Sequence, residues 1–111
     1  MFAEYTKRYQ DIIIRMPDEV YDGTAKFHEK EVAMYMRLYF DLCSEEYHLW
    51  QIGIIPNDVW NNWKEGMQTT LNRKPFRSAW DVVKGSYNTD FYKYFEREVV
   101  NWKTQQPQQG I

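Results

Sequence analysis

Between its Pro and Gly residues the chain repeats apolar positions at intervals of three and four, the period of an α-helix, and it nowhere sustains the alternation of a strand. The pattern predicts an all-α fold, a compact bundle of about five helices around a long central one. A first helix over about 2–15 aligns Phe2, Tyr5, Tyr9, Ile12 and Ile13. It stops at Met16, because the residue before Pro17 is pushed out of the helical region. "PDEVYDG" follows as a turn-rich connection. The second helix, about 28–51, is the longest. Its apolar side chains, including Val32, Met36, Leu38, Phe40, Leu42 and Trp50, cover more than half the circumference, which makes it the central element. Gly53 supplies its stop, since glycine tolerates positive φ near a helix C-terminus.

A third helix over about 57–72 opens on Pro56, Asn57 and Asp58 and aligns Val59, Trp60, Trp63, Met67 and Leu71. Gly66 falls in that stripe. Glycine costs roughly 1 kcal/mol of helix propensity there, and the predicted reason is close approach by another helix or a bulky ring. A fourth helix runs from Pro75 to about Lys84, buries Phe76, Ala79, Trp80 and Val83, and ends at Gly85. A fifth over about 89–103, capped by Asn88 or Thr89, aligns Phe91, Tyr94, Phe95, Val99 and Trp102. Residues 1–103 read as a single domain and 104–111 as a disordered tail.

Composition makes the predicted core aromatic. Apolar residues form 43% of the chain and aromatics 18%, with five Trp and nine Tyr, so a chain of 111 residues has enough to bury one core without metal or disulfide staples. A net charge of −2 argues against a nucleic-acid partner, which demands a basic excess. Cys43 stands alone and has no intrachain disulfide partner, which fits a reducing compartment and a cytoplasmic location. No run approaches the roughly 18 apolar residues of a membrane span, and "MFAEYTKRYQ" lacks the order of a signal peptide.

One position breaks the pattern. In "YFDLCSEEYHLW" Glu46 projects between Tyr39, Leu42, Leu49 and Trp50 on the apolar arc of the central helix. An unpaired carboxylate there costs several kcal/mol or protonates, so a partner is expected: Arg73 or Arg77, or an indole or phenol donor. With a buried cation as partner, Glu46→Ala would cost roughly 2–4 kcal/mol. Glu98, also within an apolar stripe, is the one carboxylate that could pair with Glu46 for acid–base work. Glu45-x-x-His48 has the spacing of a di-iron ligand pair, but His28 lacks the matching Glu. With Arg37 and Asp41 beside it, the motif reads as a solvated face of i, i+4 pairs. Cys43 reads as a small core residue. Trp60, Trp63, Trp80 and Trp102 read as core, or alternatively as an aromatic-lined groove for a peptide or small apolar ligand. No cofactor or metal is expected.

From "RYQDIIIRMPDEVY" through "YMRLYFDLCSEEYHLWQIGIIPNDVWNNWKEGM" to "FRSAWDVV" the order of motifs resembles a family of small uncharacterised bacterial proteins. The resemblance covers about residues 5–95 and includes W-x-x-W-x-x-G and F-x-x-A-W. It implies a helical cytoplasmic module, in many members behind an N-terminal membrane helix, and it carries no activity. Glu46, Gly53, Trp60, Trp63, Gly66, Phe76, Ala79 and Trp80 correspond to its framework residues. Unlike the commoner form, this sequence starts at Met1 almost where that membrane helix would end, as a soluble member or a trimmed chain would.

Two functions follow as expectations. The first is a non-enzymatic protein-interaction or regulatory module, with a protein partner or a second copy on whatever apolar surface four shorter helices leave uncovered. The second is a small-ligand-binding or catalytic protein using Glu46 in an aromatic-lined pocket, with Glu46, Trp60, Trp63, Arg77 and Trp80 as candidate residues. A filled core with Glu46 bonded to Arg or Trp favours the first. A cavity beside Glu46 without an internal cation favours the second.

Overall fold

Every element among the described residues, 3–16 and 30–105 of a computed structural model, is helical, and the chain is an all-α bundle. In order they are α1 (Ala3–Arg15), α2 (Lys30–Gln51), α3 (Asn57–Leu71) and α4 (Lys74–Val83), with a 3-10 turn at Lys84–Ser86. Then come α5 (Thr89–Phe95), which runs on as a π-turn at Glu96–Val100, and the short α6 (Trp102–Gln105). Expectations for Phe2, the "PDEVYDG" connection, His28 and the tail beyond residue 105 lie outside the described residues.

The wide apolar arc of α2 does what its composition requires. Val32, Met36, Tyr39, Phe40, Leu42 and Cys43 are all within 1% of complete burial, and α1, α3, α4 and α5 each pack against this helix. Phe40 meets Trp80 at 5.4 Å and Phe95 at 6.0 Å, while Tyr39 meets Phe76 at 5.4 Å, so rings from α2, α4 and α5 close one aromatic core. Such pairs are worth ~1 kcal/mol beyond their buried area. At the other end of α2, Trp50 stacks on Trp60 at 5.0 Å, and the Trp60 indole donates to the Tyr94 hydroxyl at 3.0 Å. The arc is not wholly covered. Leu38, expected within the arc, stands 44% exposed, and Met34 a turn before it 50%.

Local signals set most of the helix ends. Gly53 takes φ +84, and its N–H reaches the Trp50 carbonyl at 3.0 Å while that of Ile54 reaches Leu49 at 2.9 Å, the paired bonds of a Schellman stop. Asn88 caps α5 by accepting from the Phe91 N–H at 2.9 Å. At the start of α3 the cap position is Pro56, with no side-chain bond, and Asn57 instead accepts the Trp50 indole N–H at 2.8 Å. A continuous fifth helix is not formed. The Asn101 N–H bonds the Glu96 carbonyl at 2.9 Å, five residues back, and the Gln68 amide on α3 donates to the Glu98 carbonyl at 2.8 Å. The wider turn is thereby tied to a neighbouring helix.

α1 is held differently from the rest. None of its residues is fully buried. Arg8 grips Glu45 of α2 through two bonds of 3.0 and 2.9 Å, but both side chains are more than 40% exposed. Such a pair contributes no more than about 1 kcal/mol. Among the described residues no helix is long and apolar enough to cross a membrane.

Candidate functional site

Tyr5 and Tyr9 are four residues apart on α1, so their rings project from one face. That face lies over the groove between α2 and α3. Tyr5 meets Trp63 of α3 at 6.2 Å, and Tyr9 meets Tyr39 of α2 at 6.2 Å. Beneath the shallow helix is a cleft of about 270 Å³, which Leu42, Cys43 and Glu46 of α2 and Gly66 and Met67 of α3 also line.

Glu46 is 6% exposed, as its place on the apolar arc predicts. The expected partner is absent among the described residues. The charges that act on Glu46 are Arg8, which favours the carboxylate, and Glu45, which opposes it. Arg73 and Arg77 are not among them, and both stand exposed. The Trp50 and Trp60 indoles turn instead to Asn57 and Tyr94. Arg8 itself is committed to Glu45, and its guanidinium holds that carboxyl below the usual range. Left with burial as the dominant influence, Glu46 is pushed up to about 8. Near neutral pH it is therefore mostly a protonated donor, and in mild alkali an acceptor-only anion.

Of the five candidates, the structure brings Glu46 and Trp63 together in this cleft. Trp60 and Trp80 are completely buried in the core, and Arg77 lies exposed on α4 away from Glu46. Glu98 pairs with the adjacent Arg97 at 3.3 Å and does not act on Glu46, so the two carboxyls form no dyad. Burial pushes the Cys43 thiol well up, with the Glu46 charge adding to it, which agrees with an unreactive packed residue. The polar face of α2 carries Arg37–Asp41 at 3.5 Å, an i, i+4 pair as expected, whereas Glu45 reaches across to α1. Among the described residues no group of three His, Cys, Asp or Glu is placed to hold a metal ion.

The expectation for Gly66 is reversed. Among the described residues a Cβ built there meets nothing within 4 Å, so no described helix or ring crowds it, and it forms open wall of the cleft. Gly66→Ala is accordingly expected to raise the urea midpoint, by up to about 1 kcal/mol of stability at unchanged slope. A lowered midpoint would mean that the space is filled. Tyr5, Tyr9 and Tyr39 were not candidates in the sequence. Their one signal there is the i, i+4 spacing of the first two, which says that they share a face but not what the face covers.

The chain matches no family model, no curated protein and no solved structure. Fold and site together define a helical domain with an aromatic-lined, carboxyl-bearing cleft between α1, α2 and α3.

Proposed function

We propose that the protein is a small-ligand-binding helical module, and that the cleft between α1, α2 and α3 is its site. The observation that carries this reading is Glu46, a carboxyl 6% exposed that lines a cavity of about 270 Å³ with no cation beside it committed to its charge. A protein that needed only a packed core is more stable with leucine there, because a buried unpaired carboxyl costs several kcal/mol. Buried groups at such a cost gather where ligands bind. The described lining supports binding more than turnover: among its residues Glu46 and a thiol pushed up by burial are accompanied by no histidine, lysine or arginine. A buried, lone Cys43 fits the reducing interior of a cell. The resemblance to small bacterial helical proteins supports the module and adds no activity. The protein-interaction reading rests on exposed Met34 and Leu38, one turn apart on α2, which no described residue covers.

The test is an NMR titration with the ring fragments p-cresol, benzylamine and benzoate. At least one is expected to shift the amides of Tyr5, Tyr9, Trp63 and Gly66. The shifts should vanish in Gly66→Trp, whose new ring has open space to enter. Fragments that leave these amides unmoved, or that bind the blocked variant equally well, would remove the cleft from consideration.

A further inference from the structure

Resting on that reading, we infer that the ligand is an organic ammonium, a protonated or methylated amine, held between the rings of α1, α2 and α3 with Glu46 as its counter-ion. Tyr5, Tyr9, Tyr39 and Trp63 place four rings around the cleft, in pairs 6.2 Å apart and tilted by 47° and 53°. Ring faces attract a cation, more so when it is stripped of water, and rings with a carboxylate are the usual cage for methylated ammonium groups. The electrostatics point the same way. Thr6, Gln10 and Asn62 add neutral polar groups, and among the described lining residues Glu46 is the one carboxyl. Arg8, the one described cation acting on it, is doubly bonded to Glu45, which offsets part of its effect, and burial still outweighs both. An anion entering the cleft would face this carboxyl, and an apolar molecule would leave it unmatched. A cation meets it with opposite charge at low local dielectric.

Binding is then coupled to ionisation. Around Glu46, α1 contributes Arg8, Tyr5 and Tyr9, α2 contributes Glu45, Cys43 and Tyr39, and α3 contributes no ionisable group to the lining. Tyr5, Tyr39 and Cys43 are themselves pushed up and stay neutral through the relevant range. Glu46, pushed up to about 8, changes charge between about pH 6 and pH 9, so a bound cation must displace its proton.

Choline and its neutral isostere 3,3-dimethylbutan-1-ol separate the possibilities by isothermal titration calorimetry. Choline is expected to bind at least tenfold more tightly than the alcohol. Its affinity should rise roughly a hundredfold from about pH 6 to pH 9, with a proton released on binding, as read from buffers of different ionisation enthalpy. Glu46→Gln, which keeps the shape, should abolish both the preference and the proton release. Equal binding of the two compounds, or affinity that falls with pH because a protonated Glu46 donates to the ligand, would overturn the inference while leaving the cleft as a binding site. Should neither compound bind, the inference falls, and the fragment titration with the Gly66→Trp variant decides the fate of the cleft by itself.

Discussion

Between about pH 4.5 and pH 9 the wild-type protein is expected to lose roughly 3–5 kcal/mol of stability relative to a Glu46→Gln variant. The cause is desolvation. In the unfolded chain Glu46 releases its proton near 4.5, whereas in the folded protein burial holds the proton on until about 8. Over that window the native state binds more protons than the unfolded one, so each rise in pH favours unfolding, by about 1.4 kcal/mol per unit. Below 4.5 both states are protonated and the penalty is gone; above 8 both are ionised and it is complete. Chemical denaturation of the two proteins at several pH values should give curves that converge in acid and diverge in alkali. Curves that stay parallel would show that a donor already compensates the carboxylate. The same reasoning reverses the sequence-based expectation for Glu46→Ala. A loss of roughly 2–4 kcal/mol presumes a buried cation left behind, and the one described cation acting on Glu46 is bonded to Glu45. In alkali the alanine variant is therefore expected to be the more stable, less about 1 kcal/mol for the methylene packing it forfeits.

Trp80→Ala is expected to cost roughly 3–5 kcal/mol. Trp80 is completely buried on α4, and its indole lies within 6.1 Å of the rings of Phe40, Tyr87, Phe91, Tyr92 and Phe95. No smaller side chain fills that space, and a domain of this size has only about 5–15 kcal/mol to lose. Trp80→Phe should be distinctly milder. The Trp80 indole N–H has no hydrogen-bond partner among the described residues, so phenylalanine gives up part of a ring and leaves no acceptor unmatched. Urea unfolding of both variants checks this ordering, and an alanine variant within about 1 kcal/mol of wild type would contradict the placement of Trp80 at the core's centre.

The residues that were legible and those that were not differ in a physical way. The stop at Gly53, the cap at Asn88 and the wide apolar arc of α2 depend on backbone conformation and on neighbours within a turn or two. Such effects are local and are written in residue type and spacing. The burial of Glu46 was legible for the same reason, since a position on a helix face follows from the 100° rotation per residue alone. The π-turn at Glu96–Val100 was not legible, because its Glu98 carbonyl is taken by Gln68, a residue thirty positions earlier in the chain.

What the sequence determined by itself is thus the set of helices, the central role of α2 and the enclosure of one acidic side chain. Only the tertiary structure decided what stands beside that side chain. Arg73, Arg77, Trp50 and Trp60 were all within reach as far as spacing could say, and the packing turned them elsewhere while laying Tyr5 and Tyr9 over the groove and leaving Gly66 open. Periodicity specifies the face a residue occupies on its own helix. Which faces of separate helices meet, and whether they meet tightly or leave a cavity, depends on crossing geometry and on the summed volumes of side chains from distant parts of the chain.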